Sequence, residues 1–250
     1  MVINSTKKIF FVSPSIQVIV VSYGGVGTSF LIDFISQYLL TNCSKDTDGL
    51  KHLDIPPLSL NPNLKVLYVY GDPVEAAISL FRRNYYYYHS VKLLRNVPHL
   101  QALTRDYNLS RYAEEGVDRL GLTNHFYNWW EHYPVYNTLF IRYESIWKNL
   151  DALFDFLNIP KESKHKFPKQ KQRVSSKELV EPKTINELNS IYEKLNQKIK
   201  MIPDVTVVNR KRNGNYASHF FRYLPDYYVH KIGKYLYVNH QSIYIALKSK

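Results

Sequence analysis

The sequence predicts an α/β fold: a single domain over residues 1–250 with a central parallel sheet flanked by helices on both faces. Three observations predict it. Strand-like and helix-like segments alternate along the chain, which is the pattern of strand–helix–strand crossovers. The first strand runs into Gly24, Gly25 and Gly27 directly before a helical pattern. No internal repeat and no long linker divides the 250 residues, which suffice for one substantial core.

The elements follow in order. Ile16–Ser22 is short, β-branched and ended by glycine, as a buried parallel strand requires. Over Thr28–Leu40 the apolar residues Phe30, Leu31, Phe34, Ile35, Tyr38 and Leu39 recur at helical spacing, with Thr28 or Ser29 near the start. Asn42–Asn63 is rich in turn residues and reads as loop. Lys65–Tyr70 is a second strand. Pro73 suits a first helical turn, and the helix is expected to run through Arg83 or beyond. Residues 84–121 read as helical with breaks, and Asn124–His132 as an aromatic helix. Thr138–Tyr143 is a third strand. Asn149–Leu157 is an amphipathic helix, ended at Asn158-Ile159-Pro160. Lys161–Lys177 is a basic, loop-like segment and Glu178–Lys200 is helical. Val205–Val208 leads into Arg210–Gly214, and a last aromatic helix covers 225–237.

Composition narrows the function classes. Apolar residues make up 45% and aromatics 15%, as in a globular protein. The 22 tyrosines, with a run at Tyr85–Tyr88, read as compositional bias. A formal charge of +12 favours anionic partners: nucleotides, sulfated or phosphorylated substrates, nucleic acid or acidic membranes. Cys43 is the single cysteine, so an intrachain disulfide and a cysteine zinc cluster are excluded, and no metal site is expected. No apolar run reaches the ~20 residues of a membrane span. Lys7 and Lys8 before an apolar run imitate a signal peptide, but Ser13, Pro14, Ser15 and Gln17 interrupt it. The expectation is a soluble, cytoplasmic protein.

The glycine turn carries the most chemistry. A strand, a tight turn and a helix start point backbone N–H groups at a phosphate, and glycines let it approach closely. Thr28 and Ser29 add hydroxyl donors. The turn lacks the Gly-Lys-Ser/Thr of a kinase or ATPase loop, because Thr28 follows Gly27 directly. By itself it is also compatible with a plain strand–helix connection.

Several ordered segments between residues 16 and 220 resemble the sulfotransferase family, which uses 3′-phosphoadenosine 5′-phosphosulfate. Gly24-Gly25-Val26-Gly27-Thr28-Ser29-Phe30 resembles that family's phosphosulfate loop, Pro-Lys-Ser-Gly-Thr-Thr-Trp. Tyr68-Val69-Tyr70-Gly71-Asp72-Pro73, with Ser79 beyond it, resembles the 3′-phosphate segment. Lys51-His52-Leu53 before Pro56 and Pro57 is similar to Thr-His-Leu-Pro, and His125–Trp130 to His-Val-x-x-Trp-Trp. Leu139–Glu144 resembles Leu-Phe-Leu-x-Tyr-Glu, and Phe154–Ile159 resembles the family's Phe-Leu-Gly-Ile helix ending. Gly214–Phe220 resembles Gly-Asp-Trp-Lys-Asn-His-Phe.

The resemblance implies a P-loop NTPase-like sulfotransferase fold and a sulfuryl transfer from that donor to a hydroxyl or amine on a small-molecule, glycan or protein acceptor. It implies His52 as general base, since imidazole accepts protons near neutrality. It implies Ser79 on the 3′-phosphate, with Arg210, Lys211 and Arg212 before Gly214 clamping the same group. Phe30 and Tyr143 would lie beside the adenine. Read singly, Phe30 and Tyr143 are also core packing, Ser79 a solvated hydroxyl, His52 a surface-loop histidine and 210–212 a solvated basic run. His125 and Trp129 are read as packing residues.

Two family cations are missing. The loop lysine falls at Gly25 and the 3′-phosphate arginine at Gly71. Losing such a partner costs roughly 2–4 kcal/mol of transition-state stabilisation. Lys51, Arg82, Arg83 and the 210–212 cluster are the candidate replacements, Arg83 lying one helical turn beyond Ser79. A non-catalytic nucleotide- or anion-binding member of the fold is the alternative reading. A P-loop kinase and a nucleic-acid-binding protein come behind it, because no recognised nucleic-acid motif is present.

Overall fold

In the computed structural model the described residues are 11–59, 61, 63–94, 101–131, 136–170 and 177–209. The chain divides into two compact units, residues 9–210 and residues 1–8 with 211–250, and the described residues lie in the first.

Strands β1 (Phe11–Val12) and β3 (Leu58–Ser59) form a short parallel pair. The main sheet runs in the order β2 (Val18–Val21), β4 (Lys65–Tyr70), β5 (Asn137–Arg142) and β6 (Val205–Val208). Strands β2, β4 and β5 are parallel, and β6 closes the far edge antiparallel to β5. Consecutive residues Val18–Val21, Val66–Tyr70 and Leu139–Ile141 are all buried, so both faces of these strands are covered. That is why the runs read as continuously apolar rather than alternating.

The helices are α1 (Thr28–Ile35), α2 (Pro73–Arg82), α3 (Tyr86–Leu93), α4 (Leu109–Glu114), α5 (Leu122–Glu131), α6 (Leu150–Leu157), α7 (Pro182–Ile191) and α8 (Glu193–Met201). Local sequence explains most ends. Asp72 caps α2 by accepting from Val74 N and Glu75 N, with Pro73 in the first turn. Asn158 ends α6 in the left-handed conformation. Asn108 accepts from Arg111 N at the start of α4. None of the described helices is long and apolar enough to cross a membrane.

Three segments depart most from the sequence expectation. Helix α1 stops at Ile35 rather than Leu40, because Leu40 O accepts from Gln17 N and Val18 N and Thr41 bridges to Val18. The chain there is drawn into the edge of β2, and the tertiary bonds override helical periodicity. The 178–200 helix breaks at Tyr192, whose buried ring hydroxyl meets Tyr112 Oη at 2.6 Å. The basic 161–177 segment contains a 3-10 turn over Lys161–Lys166, and Lys161 pairs with Asp155 of α6 at 2.8 Å. The helix expected over 225–237 lies outside the described residues.

Asn42 completes the outer edge of β2. Its Oδ1 accepts from Val20 N at 2.8 Å and its Nδ2 donates to Val20 O at 3.1 Å, both buried. One side chain thus replaces a neighbouring strand for that residue. Asn42→Ala is expected to lower stability by about 2–3 kcal/mol, read as a fall in the urea midpoint at unchanged m-value.

Candidate functional site

The site begins at Ser22, just past the end of β2. Gly24, Gly25 and Gly27 take φ values of 90°, 72° and 69°, which only glycine adopts without strain. Gly27 caps α1 in the left-handed conformation, and no side chain caps the helix amides. The first turn of α1 carries no acidic residue, so its positive dipole end stays uncompensated from within the helix. Such a turn suits a phosphate or sulfate group.

Close packing fixes the loop. A Cβ on Gly25 would stand 2.6 Å from Cα and O of Ala76 in α2. A Cβ on Gly27 would stand 2.8 Å from the Tyr143 ring. Tyr23, fully buried, donates to Gly71 O at 2.5 Å and accepts from Gly71 N at 2.8 Å. The glycine loop is thereby tied to the end of β4. Sequence reasoning missed Tyr23, because nothing in a lone tyrosine before a glycine marks its distant partner.

The second component is the segment after the Asn42–Asp48 turns. Ser22 N donates to Lys51 O at 3.1 Å, and His52 Nδ1 donates to Ser22 O at 2.9 Å. Trp129 of α5 donates its indole N–H to Leu53 O at 2.7 Å. Residues 51–53 are thus held between the strand end and α5. Lys51 is nearly buried, and its Nζ donates to Ser29 Oγ at 2.6 Å and to Ser44 O at 2.8 Å. A cation therefore sits at the start of α1, where the sequence places none within the loop itself. Burial lowers the Lys51 pKa, with Asp46 opposing that shift.

His52 is half-buried and no surface-loop histidine. Its Nδ1 hydrogen bond to a carbonyl leaves Nε2 as the basic nitrogen. Burial, opposed by the Ser22 carbonyl and reinforced by Lys51, Lys92 and Arg83, pushes its pKa down to about 3. Lys92 of α3 pairs with Asp46, whose other oxygen accepts from Lys51 N at 3.0 Å. The His89 ring lies 4.3 Å from the His52 ring, and His125 bonds Tyr68 Oη at 2.9 Å. His89 and His125 are buried and held neutral, His125 with a pKa of about 3. Among the described residues no group of three or more His, Cys, Asp or Glu side chains is arranged to hold a metal ion.

At the other end of the loop the aromatic residues gather. Phe30 stacks on Trp147 at 5.6 Å and meets Tyr143 edge-on at 6.4 Å and Phe167 at 6.0 Å. Phe30 and Tyr143 are thus both packed and adjacent to Gly27, and Trp147 joins them without any motif having marked it.

The remaining candidates separate. Ser79 lies in α2, and its carbonyl accepts from Arg83 N and Arg83 Nε, each at 3.2 Å. Arg83 is exposed, lies over the Tyr85 ring and acts electrostatically on His52 and Lys51. At Gly71 a Cβ would stand 3.0 Å from the Glu144 carboxylate and 3.2 Å from Val26 Cγ1. That carboxylate is paired in turn with Arg142 Nε at 3.4 Å, and Lys177 Nζ meets Asp72 next to Gly71 at 2.5 Å. Arg210, Lys211, Arg212 and Gly214 lie outside the described residues. A cavity of about 470 Å³ lined by Ile78, Phe81, Arg82, Tyr86, Tyr107 and Leu109, among others, includes none of the residues singled out as site residues from the sequence except Arg82.

Two predictions follow from this packing. Gly25→Ala is expected to cost about 2–4 kcal/mol in chemical unfolding, from the positive φ plus the clash with Ala76, and Gly25→Lys no less. The three histidines are neutral in the fold and protonate in the unfolded chain below pH ~6.5. Their contribution is complete above that pH and is lost as pH falls toward the folded values. Unfolding at pH 5 is expected to take up close to three more protons than at pH 8, measured as the slope of stability against pH, and His52→Asn is expected to reduce the uptake by one.

Residues 47–220 match the Sulfotransferase domain family. No curated protein matches the chain. The match covers more than half of the chain, and the chain belongs to the sulfotransferase family. The matched span begins after the glycine loop and takes in Lys51, His52, Ser79, Arg83, Tyr143 and 210–214.

Proposed function

From membership in the sulfotransferase family, we propose that this chain moves a sulfuryl group from 3′-phosphoadenosine 5′-phosphosulfate to a hydroxyl or amine acceptor in the cytoplasm. The observation that carries the reading is the convergence on one loop of a cation, a base and the uncapped start of α1. Lys51 Nζ meets Ser29 at the start of α1, and His52 is fixed to Ser22 at the strand end.

In this reading the amides at the start of α1, with Thr28 and Ser29, hold the 5′-phosphosulfate, while the Gly24 amide donates to Ser22 Oγ at 3.1 Å. His52 Nε2 takes the acceptor proton as the acceptor oxygen or nitrogen attacks sulfur. The new bond to sulfur forms as the sulfur–oxygen bond to the 5′-phosphate breaks, and 3′-phosphoadenosine 5′-phosphate leaves with that electron pair. Lys51 offsets the charge growing on the leaving oxygen. A bound dianion would raise the His52 pKa from its low value, and so strengthen the base only when donor is present. Phe30 and Tyr143 flank the adenine side. Ser79, Arg83 and the 210–214 segment are assigned to the 3′-phosphate.

The Ala76 contact supports Lys51 as the substitute for the absent loop lysine, because a long side chain at residue 25 has no room. The Glu144 carboxylate beside Gly71 favours a second reading, a nucleotide- or anion-binding member of the fold without turnover.

Titration calorimetry with 3′-phosphoadenosine 5′-phosphate is expected to give one-to-one binding with a Kd on the order of micromolar. Turnover of labelled donor with a panel of acceptors then separates the two readings. Lys51→Met is expected to lower turnover by about 10²-fold while the fold persists by circular dichroism. Full activity in that variant removes Lys51 from the mechanism, and absence of nucleotide binding by the wild type ends both readings.

A further inference from the structure

We infer that His89 of α3 is a further binding residue of this site, its Nε2–H donating to a sulfuryl oxygen of the donor held in the glycine loop. The inference rests on the sulfotransferase reading above. His89 belongs to none of the segments that carry the family resemblance, and it follows directly on the tyrosine run.

Three observations converge on it. His89 is only 8% exposed, and its Nε2 is closed to solvent with no hydrogen-bond partner among the described residues. A buried polar nitrogen without a partner is costly, and a leucine or phenylalanine would fill the same space without that cost. The atom lies at the loop itself, since a Cβ on Gly24 would stand 2.1 Å from His89 Nε2. The bare Cα of Gly24 is what admits the imidazole. Finally, the ring stands edge-to-face with His52, 4.3 Å between centroids.

These contacts also decide which part of the ligand is meant. The base must reach the atom that attacks sulfur, so sulfur lies at the His52 end of the loop. Gly24 and His89 form that end. The opposite end, at Gly27, abuts Tyr143, next to Phe30, and is the end the proposed function assigns to the nucleotide. Lys92 and Arg83 act electrostatically on both His52 and His89, so the local field favours an anion. Burial keeps the His89 ring neutral, which leaves it one N–H to give.

The test compares the donor, 3′-phosphoadenosine 5′-phosphosulfate, with its desulfated product in titration calorimetry. His89→Phe replaces the imidazole with a somewhat larger aromatic ring and removes both nitrogens. It is expected to bind the product within twofold of wild type and the donor about tenfold more weakly. Equal donor affinity in His89→Phe and wild type overturns the inference and leaves His89 as packing. If that variant does not fold, nitrogen-15 spectra of the wild-type histidines decide: the His89 Nε2 resonance is expected to move with donor and not with product. A resonance unmoved by bound donor overturns the inference alone. A wild type that binds neither nucleotide overturns the sulfotransferase reading, and the assignment of His89 with it.

Discussion

The site depends on a two-bond clamp at Ser22. Its backbone N–H donates to Lys51 O and its carbonyl accepts from His52 Nδ1. Ser22 is also the residue from which the glycine loop departs, so the clamp places a cation and an imidazole beside the loop. Both halves of the clamp are anchored elsewhere. Strand β2 is buried and paired to β4, and Trp129 holds Leu53 from the opposite side. With both ends fixed, little side-chain freedom remains to be lost when an anion binds, which is the advantage of a pre-organised site.

The same close packing explains the departures from the family pattern. Where the family has a lysine, Gly25 lies against the backbone of Ala76, and its φ is positive. Charge at the loop therefore arrives through Lys51, from a segment that is distant in sequence. Where the family has an arginine, Gly71 is held on both its polar groups by Tyr23 and faces Glu144. Each loss of a cation is matched by a specific contact that occupies its place. The sheet can tolerate this, because the parallel core of β2, β4 and β5 sets the loop's position without drawing on these residues.

Much of the fold was legible because apolar runs report burial on both faces directly. Val18–Val21, Lys65–Tyr70 and the third strand stand within a residue or two of their expected bounds. Helix ends with strong local signals, Asp72-Pro73 and Asn158, were equally legible. The end of α1 and the break at Tyr192 were not, because bonds to Gln17 and to Tyr112 set them. The sheet's fourth strand is antiparallel, a fact that periodicity within Val205–Val208 does not encode.

In the site, the sequence alone determined the glycine turn, the hydroxyls that follow it and the presence of a lysine and a histidine at 51 and 52. Motif order could do this because local conformation and residue chemistry are written in short stretches. Tertiary structure alone decided that Lys51 reaches Ser29, that Gly25 has no room for a side chain, and that His89 lies on Gly24. Those facts join residues 22 to 65 positions apart. They arise from how α2, α3 and the segment carrying Ser44 and Lys51 pack against the loop, and that packing is a property of the whole core rather than of any segment in it.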